Sequence, residues 1–297
     1  MRKWQICGYT DRMSDFYNDR IVSIFGVSIT LFSKERAVQK IYEWLLLDEQ
    51  KMIVTANPET LLYARNDENF KRAINSADLI TADGAGVCWA ATFFEMTENS
   101  LNKIEIINIF LKTLYEVIFS SWKKKVGYFP ARISGSDLIW DLAEIAEKEN
   151  KKIYLIGGKN QTAFRAAQKI KELYPTLEIT AFQPDHVATP YLSYELHNEL
   201  ERYKPDILLI AYGSPKQEEW IIQNLRRYRF IKMAMGVGGT LDFIAGNTVR
   251  ASLRLQSHGL EWFWRFYHRP TRVLRVFRST VIFPTIILLS RLKKYGK

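Results

Sequence analysis

Short apolar runs alternate along this chain with longer stretches in which apolar residues recur every three or four positions. The runs MIVTA (52–56), ADLITA (77–82) and DILLIAYG (206–213) contain very few polar residues, as is typical of strands buried on both faces. The stretch over 34–47 instead shows helical spacing. Strands that alternate with helices in this way predict an α/β fold with a Rossmann-like, mostly parallel sheet and helices on both faces.

The same pattern predicts further elements. Ser33 has the position of an N-cap, and Pro58 that of a first-turn residue. Additional strands are predicted over 21–30 (with a turn), 152–158, 177–182 and 231–239. Helices are predicted to begin near 33, 58 and 87 and to cover 161–174, 194–203 and 215–228.

One segment departs from this rhythm. In 104–122 the polar residues Glu105, Asn108, Lys112 and Glu116 form one narrow helical stripe, the remainder is largely apolar, and Lys123 to Lys125 follow. Two interpretations stay open: a core or subunit-contact helix of a homo-oligomer, or an amphipathic helix lying on a membrane over 104–125.

The C-terminal segment carries all of the excess charge. The net charge is +10, and residues 249–297 contain eight Arg and three Lys against Glu261 alone, so the first 248 residues are neutral overall. Aromatic residues cluster over 262–267, and a short apolar run over 281–289 is interrupted by Pro284. This composition favours an anionic membrane surface as partner. A basic helix packed on the domain is the alternative, and nucleic acid is disfavoured because no nucleic-acid motif accompanies the charge.

Composition excludes several classes. Two cysteines cannot form a disulfide framework, and the four histidines lack metal-ligand spacing. We see no signal peptide and no uninterrupted apolar run of spanning length, so we expect no conventional membrane-spanning helix. We expect three parts: an N-terminal extension (1–20), a Rossmann-like domain (21–248) with an insertion over about 92–131, and a basic appendage (249–297).

Chemistry is expected where predicted strands end, because open parallel sheets bind ligands outside the carboxyl ends of their strands. Asp83 is the one acid at such an end in the first half of the chain. Its carboxylate suits a general base, and a helix N-cap is an equally good interpretation of Asp before Gly-Ala-Gly. Thr55 and Asn57 could hydrogen-bond a sugar, although Asn57 could simply cap the helix that follows.

Two further loops qualify. Gly236, Gly238 and Gly239 form a weak phosphate-loop pattern that could favour a diphosphate. Gln217 and Glu218 open a helix and could face either the sheet edge or water. The chain has no Asp-x-Asp pair of the kind that holds a divalent ion on a nucleotide sugar, so a transferase would rely on Arg or backbone N–H groups.

Taken together, these motifs resemble the WecG/TagA/CpsF family of bacterial glycosyltransferases. The matching blocks occur in family order over about 21–275: TANPETLLYARND (55–67), SADLITADGAGVCWA (76–90), RISGSDL (132–138), YLIGG (154–158), AYGSPKQEEWI (211–221), GVGGTLDFIAGNTVRA (236–251) and GLEWFWRF (259–266). Seven blocks in register carry far more information than any one of them.

The resemblance implies an inverting transferase that needs no metal or other cofactor. The donor would be a UDP-activated hexosamine, for which we favour N-acetylmannosamine. The acceptor would be a polyprenyl-diphosphate-linked N-acetylglucosamine used in cell-surface polymers such as the wall teichoic acid linkage unit. Such an enzyme would work at the cytoplasmic face of the bacterial membrane as a peripheral protein. A catalytically inactive, membrane-bound UDP-sugar-binding module is the alternative.

The resemblance also assigns roles to residues. Asp83 would be the catalytic base, and the appendage would stabilise the leaving diphosphate. The implied pocket positions are Thr55, Asn57, Arg132 and Gln217, and the implied appendage positions are Arg265, Arg272 and Arg275. The segment between Ala90 and Arg132 is longer than the family leads us to expect. Ala82 and Ala85 also replace the residues expected on either side of Asp83-Gly84.

Overall fold

The computed structural model describes residues 20–47, 49–100, 102–119, 133–183, 193–247, 274 and 277–294. Most of the expected N-terminal extension, the end of the insertion with its three lysines, and Arg132, Arg265, Arg272 and Arg275 lie outside these ranges. Within them, no helix is both long enough and apolar enough to cross a bilayer.

Eight strands form one sheet, and only the first pair is antiparallel. The strands are β1 (Ile21–Ile24), β2 (Val27–Thr30), β3 (Lys51–Ala56), β4 (Leu79–Ala82), β5 (Ile153–Gly157), β6 (Ile179–Phe182), β7 (Ile207–Ala211) and β8 (Met233–Gly236). Their order across the sheet is β1-β2-β4-β3-β8-β7-β5-β6. The predicted Rossmann-like, mostly parallel sheet is confirmed.

Eleven α-helices are described. They are α1 (Lys34–Leu45), α2 (Pro58–Asn66), α3 (Glu68–Asn75), α4 (Ala85–Met96), α5 (Lys103–Phe119), α6 (Gly135–Lys148), α7 (Thr162–Leu173), α8 (Tyr194–Tyr203), α9 (Lys216–Asn224), α10 (Thr240–Ile244) and α11 (Phe283–Lys294). A 3-10 turn at Leu225–Arg227 follows α9, and a π-helical turn at Arg278–Ile282 precedes α11. The helices cover both faces of the sheet, with one buried apolar cluster on each face.

The local signals for helix ends act as predicted at several places. The Ser33 hydroxyl accepts a hydrogen bond from the backbone N–H of Arg36 at 3.1 Å, which confirms it as the N-cap of α1. After Pro58, in contrast, two helices replace the single one expected. Asp67 ends α2 and caps α3 by accepting from the N–H of Phe70 at 2.9 Å. An Asp that bonds its own local backbone readily starts a new helix.

The run interrupted by Pro284 is helical on both sides of the proline. Pro284 is the second residue of α11 and directly follows the π-helical turn, so the irregularity expected of a proline inside a continuous helix coincides with that turn. Helix α4 is buried over seven consecutive residues, Val87 to Phe93, because β1, α5 and α11 all pack against it. The continuous apolar sequence of α4 is therefore typical of a helix that other elements surround.

Candidate active site

The four loops expected to carry chemistry lie side by side. Strands β4, β3, β8 and β7 are consecutive in the sheet and mutually parallel. Their carboxyl ends lead into Asp83, Asn57, the glycines that start at Gly236, and the segment before Gln217. The sheet order therefore brings residues separated by up to 180 positions to one edge, where a ligand would meet all four loops.

Asp83 is held at the end of β4, next to β3. Its backbone N–H donates to the carbonyl of Ala56 at 2.8 Å, which extends the strand pairing by one residue. The N-cap of α4 is Gly84, with φ at 92°, so Asp83 precedes the helix and does not occupy its N-cap position. Asp83 thus lies one residue before the N-cap, and this half-buried residue is placed at the strand-end edge.

Thr55 and Asn57 lie on the neighbouring strand end. Thr55 is buried in β3, whereas Asn57 is half-buried directly after it. The Asn57 Oδ1 accepts from the N–H groups of Glu59 at 2.9 Å and Thr60 at 3.2 Å, so its capping role is confirmed. Because the oxygen is used by the helix, the side-chain NH₂ group is what Asn57 can offer a ligand.

The start of α6, a helix that was not predicted from the sequence, also lies at this edge. A Cβ placed on Gly135 would lie 3.4 Å from the Thr55 Oγ1 and 3.7 Å from the Gly236 carbonyl oxygen. The N–H of Ile133 donates to the Ala82 carbonyl at 3.2 Å, directly before Asp83. Arg132 lies outside the described residues, but its chain neighbour is thus fixed beside the candidate base.

A local pattern could have revealed this helix. Ser134-Gly135-Ser136-Asp137 resembles a helix start, and apolar residues follow at 138, 139, 142 and 143. The Ser134 hydroxyl donates to the Asp137 carboxylate at 2.6 Å, which closes the first turn. Ser134 is the N-cap residue of α6 but makes no side-chain hydrogen bond to a backbone N–H of the first turn, so apolar periodicity is the clearer of the two signals.

Gln217 links two of the loops. Its Oε1 accepts from the N–H of Gly213 at 3.1 Å and from the N–H of Gly238 at 3.0 Å. The side chain is only 4% exposed, so Gln217 faces the strand ends rather than water. The loops after β7 and β8 are thus joined by one amide group, and the open alternative for this residue is resolved.

Glu218 is more deeply buried than its neighbour, at 1% exposure. Its Oε1 accepts from the Gln217 Nε2 at 2.8 Å, and its Oε2 has no hydrogen-bond partner among the described residues. Burial raises the pKa of Glu218 to about 7, against the opposing effect of the Gln217 hydrogen bond. A substantial fraction of this carboxyl group is therefore uncharged near neutral pH.

The glycine loop differs from a free phosphate cradle. Gly238, with φ at 50°, donates its N–H to Gln217, so this donor is already engaged. Helix α10 behind the loop has only five residues. A Cβ on Gly236 would lie 2.3 Å from the Gln217 Nε2, which explains why glycine is needed at this position. Gly236 leaves room for the Gln217 side chain, and Gly238 donates a hydrogen bond to it. The spacing of the glycines in the sequence does not reveal these roles. Gly239 is the N-cap of α10 and has no side-chain capping bond.

The C-terminal helix reaches the same region from outside the sheet. A Cβ on Gly86, in the first turn of α4, would lie 3.4 Å from Pro58 and 4.0 Å from both the Phe283 ring and the Ser279 carbonyl oxygen. At the other end of α4, Arg291 donates to the Thr97 Oγ1 at 2.8 Å and to the Phe94 carbonyl at 3.2 Å. Helix α11 therefore runs parallel to α4, and the appendage returns beside the Asp83 loop.

Comparison with known proteins places this geometry in a family. The family model described as "Glycosyl transferase WecG/TagA/CpsF family" matches residues 22–123 and 116–297, which together cover most of the chain. The chain belongs to the WecG/TagA/CpsF family of glycosyltransferases. The boundary between the two matched segments falls inside the expected insertion over 92–131.

Curated relatives carry a more specific name. The chain is 29% identical over 213 residues to an N-acetylglucosaminyldiphosphoundecaprenol N-acetyl-beta-D-mannosaminyltransferase of Staphylococcus aureus strain MRSA252. The match covers 72% of this chain and 70% of the relative. The protein of the same name from strain NCTC 8325 is 28% identical over the same share of both chains. The family assignment and these names support the enzyme class expected from the sequence.

Proposed function

We propose that this protein transfers N-acetylmannosamine from a UDP-sugar to a polyprenyl-diphosphate-linked N-acetylglucosamine. The observation that carries the proposal is the position of Asp83 at the end of β4, beside the strand that carries Thr55 and Asn57 and at the same edge of the sheet as Gln217. The family and the names of the relatives supply the reaction class, and we extend their acceptor and sugar to this chain. The product would enter synthesis of a cell-surface polymer such as the wall teichoic acid linkage unit.

The proposed mechanism is a single displacement. The acceptor hydroxyl oxygen attacks the anomeric carbon from the face opposite UDP, a new carbon–oxygen bond forms, and the bond to UDP breaks with its electron pair going to the diphosphate. Asp83 accepts the hydroxyl proton. One displacement inverts the configuration at the anomeric carbon. Asn57 and Thr55 would orient the sugars by hydrogen bonding.

The leaving diphosphate requires positive partners. In this proposal Arg265, Arg272 and Arg275 supply them, so no metal ion is needed. These residues lie outside the described ranges, but α11, which follows them in the chain, packs beside the Asp83 loop. We also propose that the basic segment 249–297 holds the enzyme on the cytoplasmic face of the membrane, where the lipid acceptor is found.

A transfer assay with matched variants tests this proposal. The substrates are UDP-N-acetylmannosamine and a short-chain lipid-diphosphate-N-acetylglucosamine, with excess EDTA. Wild type should form the disaccharide lipid, and Asp83→Asn should reduce the rate by about 10²–10⁴-fold because the base is lost while the side-chain shape is kept. Asp67→Asn, at the N-cap of α3, is the control and should retain activity, since Asn and Asp cap equally well.

The failing outcomes are distinct. If wild type binds UDP but transfers no sugar, and Asp83→Asn binds UDP equally well, the result would support the alternative of an inactive binding module. Transfer that EDTA abolishes and Mg²⁺ restores would overturn the metal-independent mechanism. Full activity in Asp83→Asn would remove Asp83 from the role of base. A panel of other UDP-sugars in the same assay tests the choice of donor.

A further inference from the structure

Helix α5 carries an apolar stripe on its outward side. Ile104, Ile107, Leu111 and Tyr115 are 73%, 39%, 58% and 64% exposed, respectively. Their spacing of three and four residues places them on one side of the helix. The buried residues Ile106 and Thr113 lie on a different side, about 150° around the helix axis at 3.6 residues per turn. The outermost surface of α5 is thus apolar, where a water-exposed helix would be polar.

The polar stripe identified in the sequence lies beside the exposed apolar stripe of α5. Glu105, Asn108, Lys112 and Glu116 each follow a member of the apolar stripe by one residue, which rotates them by about 100° toward one side. The inner side of α5 is fixed to α4 by a hydrogen bond from the Trp89 Nε1 to the Thr113 Oγ1 at 3.0 Å, and by edge contacts of Phe110 with Trp89 and Phe93. The orientation of the exposed stripe is therefore set by a buried core.

The neighbouring helix shows the same kind of surface. Helix α11 packs against both α4 and α5 through Phe283 and Ile287. Leu289 on α11 is 51% exposed, Val281 on the π-helical turn before it is 47% exposed, and Leu274 and Phe277 before that turn are 73% and 49% exposed, respectively. The exposed cations Arg278 and Lys293 lie among them. Two adjacent elements thus present apolar side chains to the exterior, and both rest on the helix that begins beside Asp83.

Charge favours a lipid surface over a second copy of the chain. Residues 262–297 contain nine Arg and Lys and no acidic residue, and three lysines directly follow the α5 region at 123–125. Pairing two copies through these helices would bring the exposed cations Arg278 and Lys293 of one copy toward those of the other, at a cost in like-charge repulsion. An anionic bilayer instead attracts the cations and accepts the apolar stripe, with Tyr115 at the interfacial depth that tyrosine prefers.

We propose that the exposed stripe of α5 (Ile104, Ile107, Leu111 and Tyr115) is a lipid contact that docks this glycosyltransferase onto an anionic bilayer beside the outward face of α11. The contact belongs to the inserted segment and lies next to α11, a helix of the basic appendage. It holds α5, and α4 packed behind it, along the bilayer surface, which keeps the Asp83 loop near the membrane-borne substrate. The orientation toward substrate rests on the proposed function, whereas the lipid contact itself does not.

Cosedimentation of the full-length protein with vesicles tests the contact. Vesicles of phosphatidylcholine with phosphatidylglycerol supply the anionic surface, and phosphatidylcholine alone is the neutral comparison. The variant Ile104→Gln/Leu111→Gln should need about tenfold more anionic lipid for half-binding, since two apolar side chains no longer enter the interface. The matched control is Phe164→Gln/Leu173→Gln on α7, whose two side chains are also exposed but which packs on the opposite face of the sheet. It should bind as wild type does.

The mass of the protein in solution distinguishes a lipid contact from self-association. Sedimentation equilibrium without lipid should show the same mass for wild type and the α5 variant. A wild-type dimer that becomes monomeric in the variant, with unchanged vesicle binding, would overturn the proposal in favour of self-association. Equal lipid binding by the α5 variant, the α7 variant and wild type would also overturn it.

The transfer assay separates this proposal from the proposed function. With an acceptor embedded in vesicles the α5 variant should lose activity in proportion to binding, and with a short-chain soluble acceptor it should equal wild type. Absence of transfer by wild type would contradict the proposed function alone, because vesicle binding is read independently.

Discussion

At the scale of single residues, the candidate site depends on one side chain that joins the loops after two neighbouring strands. Gln217 receives hydrogen bonds from the loops after β7 and β8 and donates to Glu218. The chain around Gln217 shows only that it opens a helix. What makes it a link is the adjacency of β7 and β8, which brings Gly238 within 3.0 Å.

The substitution Gly236→Ala tests the hydrogen bonds that Gln217 accepts from the two loops, while residue 217 itself remains glutamine. The added methyl group would lie 2.3 Å from the Gln217 Nε2 and would displace the amide from both backbone donors. We expect the free energy of unfolding to fall by about 1 kcal/mol, because two part-buried N–H groups lose their acceptor. We also expect a higher KM for the UDP-sugar. Urea unfolding and steady-state kinetics measure the two effects.

A double-mutant cycle supplies the control. In a Gln217→Ala background the clash partner is absent, so the same glycine substitution should cost little. Additive losses in the double variant would show that Gly236 acts through something other than Gln217.

At the scale of elements, the buried cation Arg291 joins the C-terminal helix to α4. The Arg291 guanidinium donates to Thr97 and to the Phe94 carbonyl in the last turn of α4, and it lies 5.6 Å from the centre of the Phe94 ring. A cation at the carboxyl end of a helix also interacts favourably with the helix dipole. Arg291 therefore fixes where α11 meets α4.

Arg291→Met should loosen α11 while keeping most of the buried side-chain volume. The loss of hydrogen bonds from a charged donor predicts a decrease of about 2 kcal/mol in the free energy that protects the α11 amides. Native-state hydrogen exchange over 283–294 measures this protection. Arg278→Met, which changes an exposed cation just before the same helix, should have little effect. Equal protection in the two variants would contradict the assignment.

The strands and helices were easier to predict from the sequence than the contacts between them. The apolar runs located the core strands because a strand covered on both faces needs a continuous apolar sequence. Helix α8 coincides with its predicted range, whereas α9 ends at Asn224 and gives way to a 3-10 turn before the predicted end. Helix α6 received no prediction. The pairing of Arg291 with Thr97 crosses 194 residues, so no local pattern could reveal it.

At the scale of the whole molecule, Glu218 makes stability depend on pH. Its pKa is about 7 in the folded chain against an ordinary value of 4.5, so the folded state holds the proton more tightly. The contribution to stability is complete below about pH 4.5 and is lost as pH rises through about 7. The total change is about 3 kcal/mol, from 1.36 kcal/mol per pKa unit.

Glu218→Gln removes this dependence, because glutamine keeps an acceptor for Gln217 and carries no charge. Urea unfolding of wild type and variant at pH 5 and pH 8 should show stabilities that are closest at pH 5, with the variant more stable at pH 8. Unfolding curves separated by the same free energy at both pH values would contradict a raised pKa in the folded protein.

The pairing of β3 with β8 at the centre of the sheet has a consequence for biosynthesis. Met233 pairs with Lys51, and it leaves the ribosome about 180 residues later. At a typical synthesis rate of about 5–20 residues per second, β8 is synthesised about 10–40 s after β3, and the edge of β3 that pairs with β8 is unpaired during that time. During that interval Asp83 and Asn57 exist without Gln217 or the glycine loop beside them. The nascent chain therefore has an open apolar strand edge and no complete site, so it should depend on chaperones until the final third has emerged.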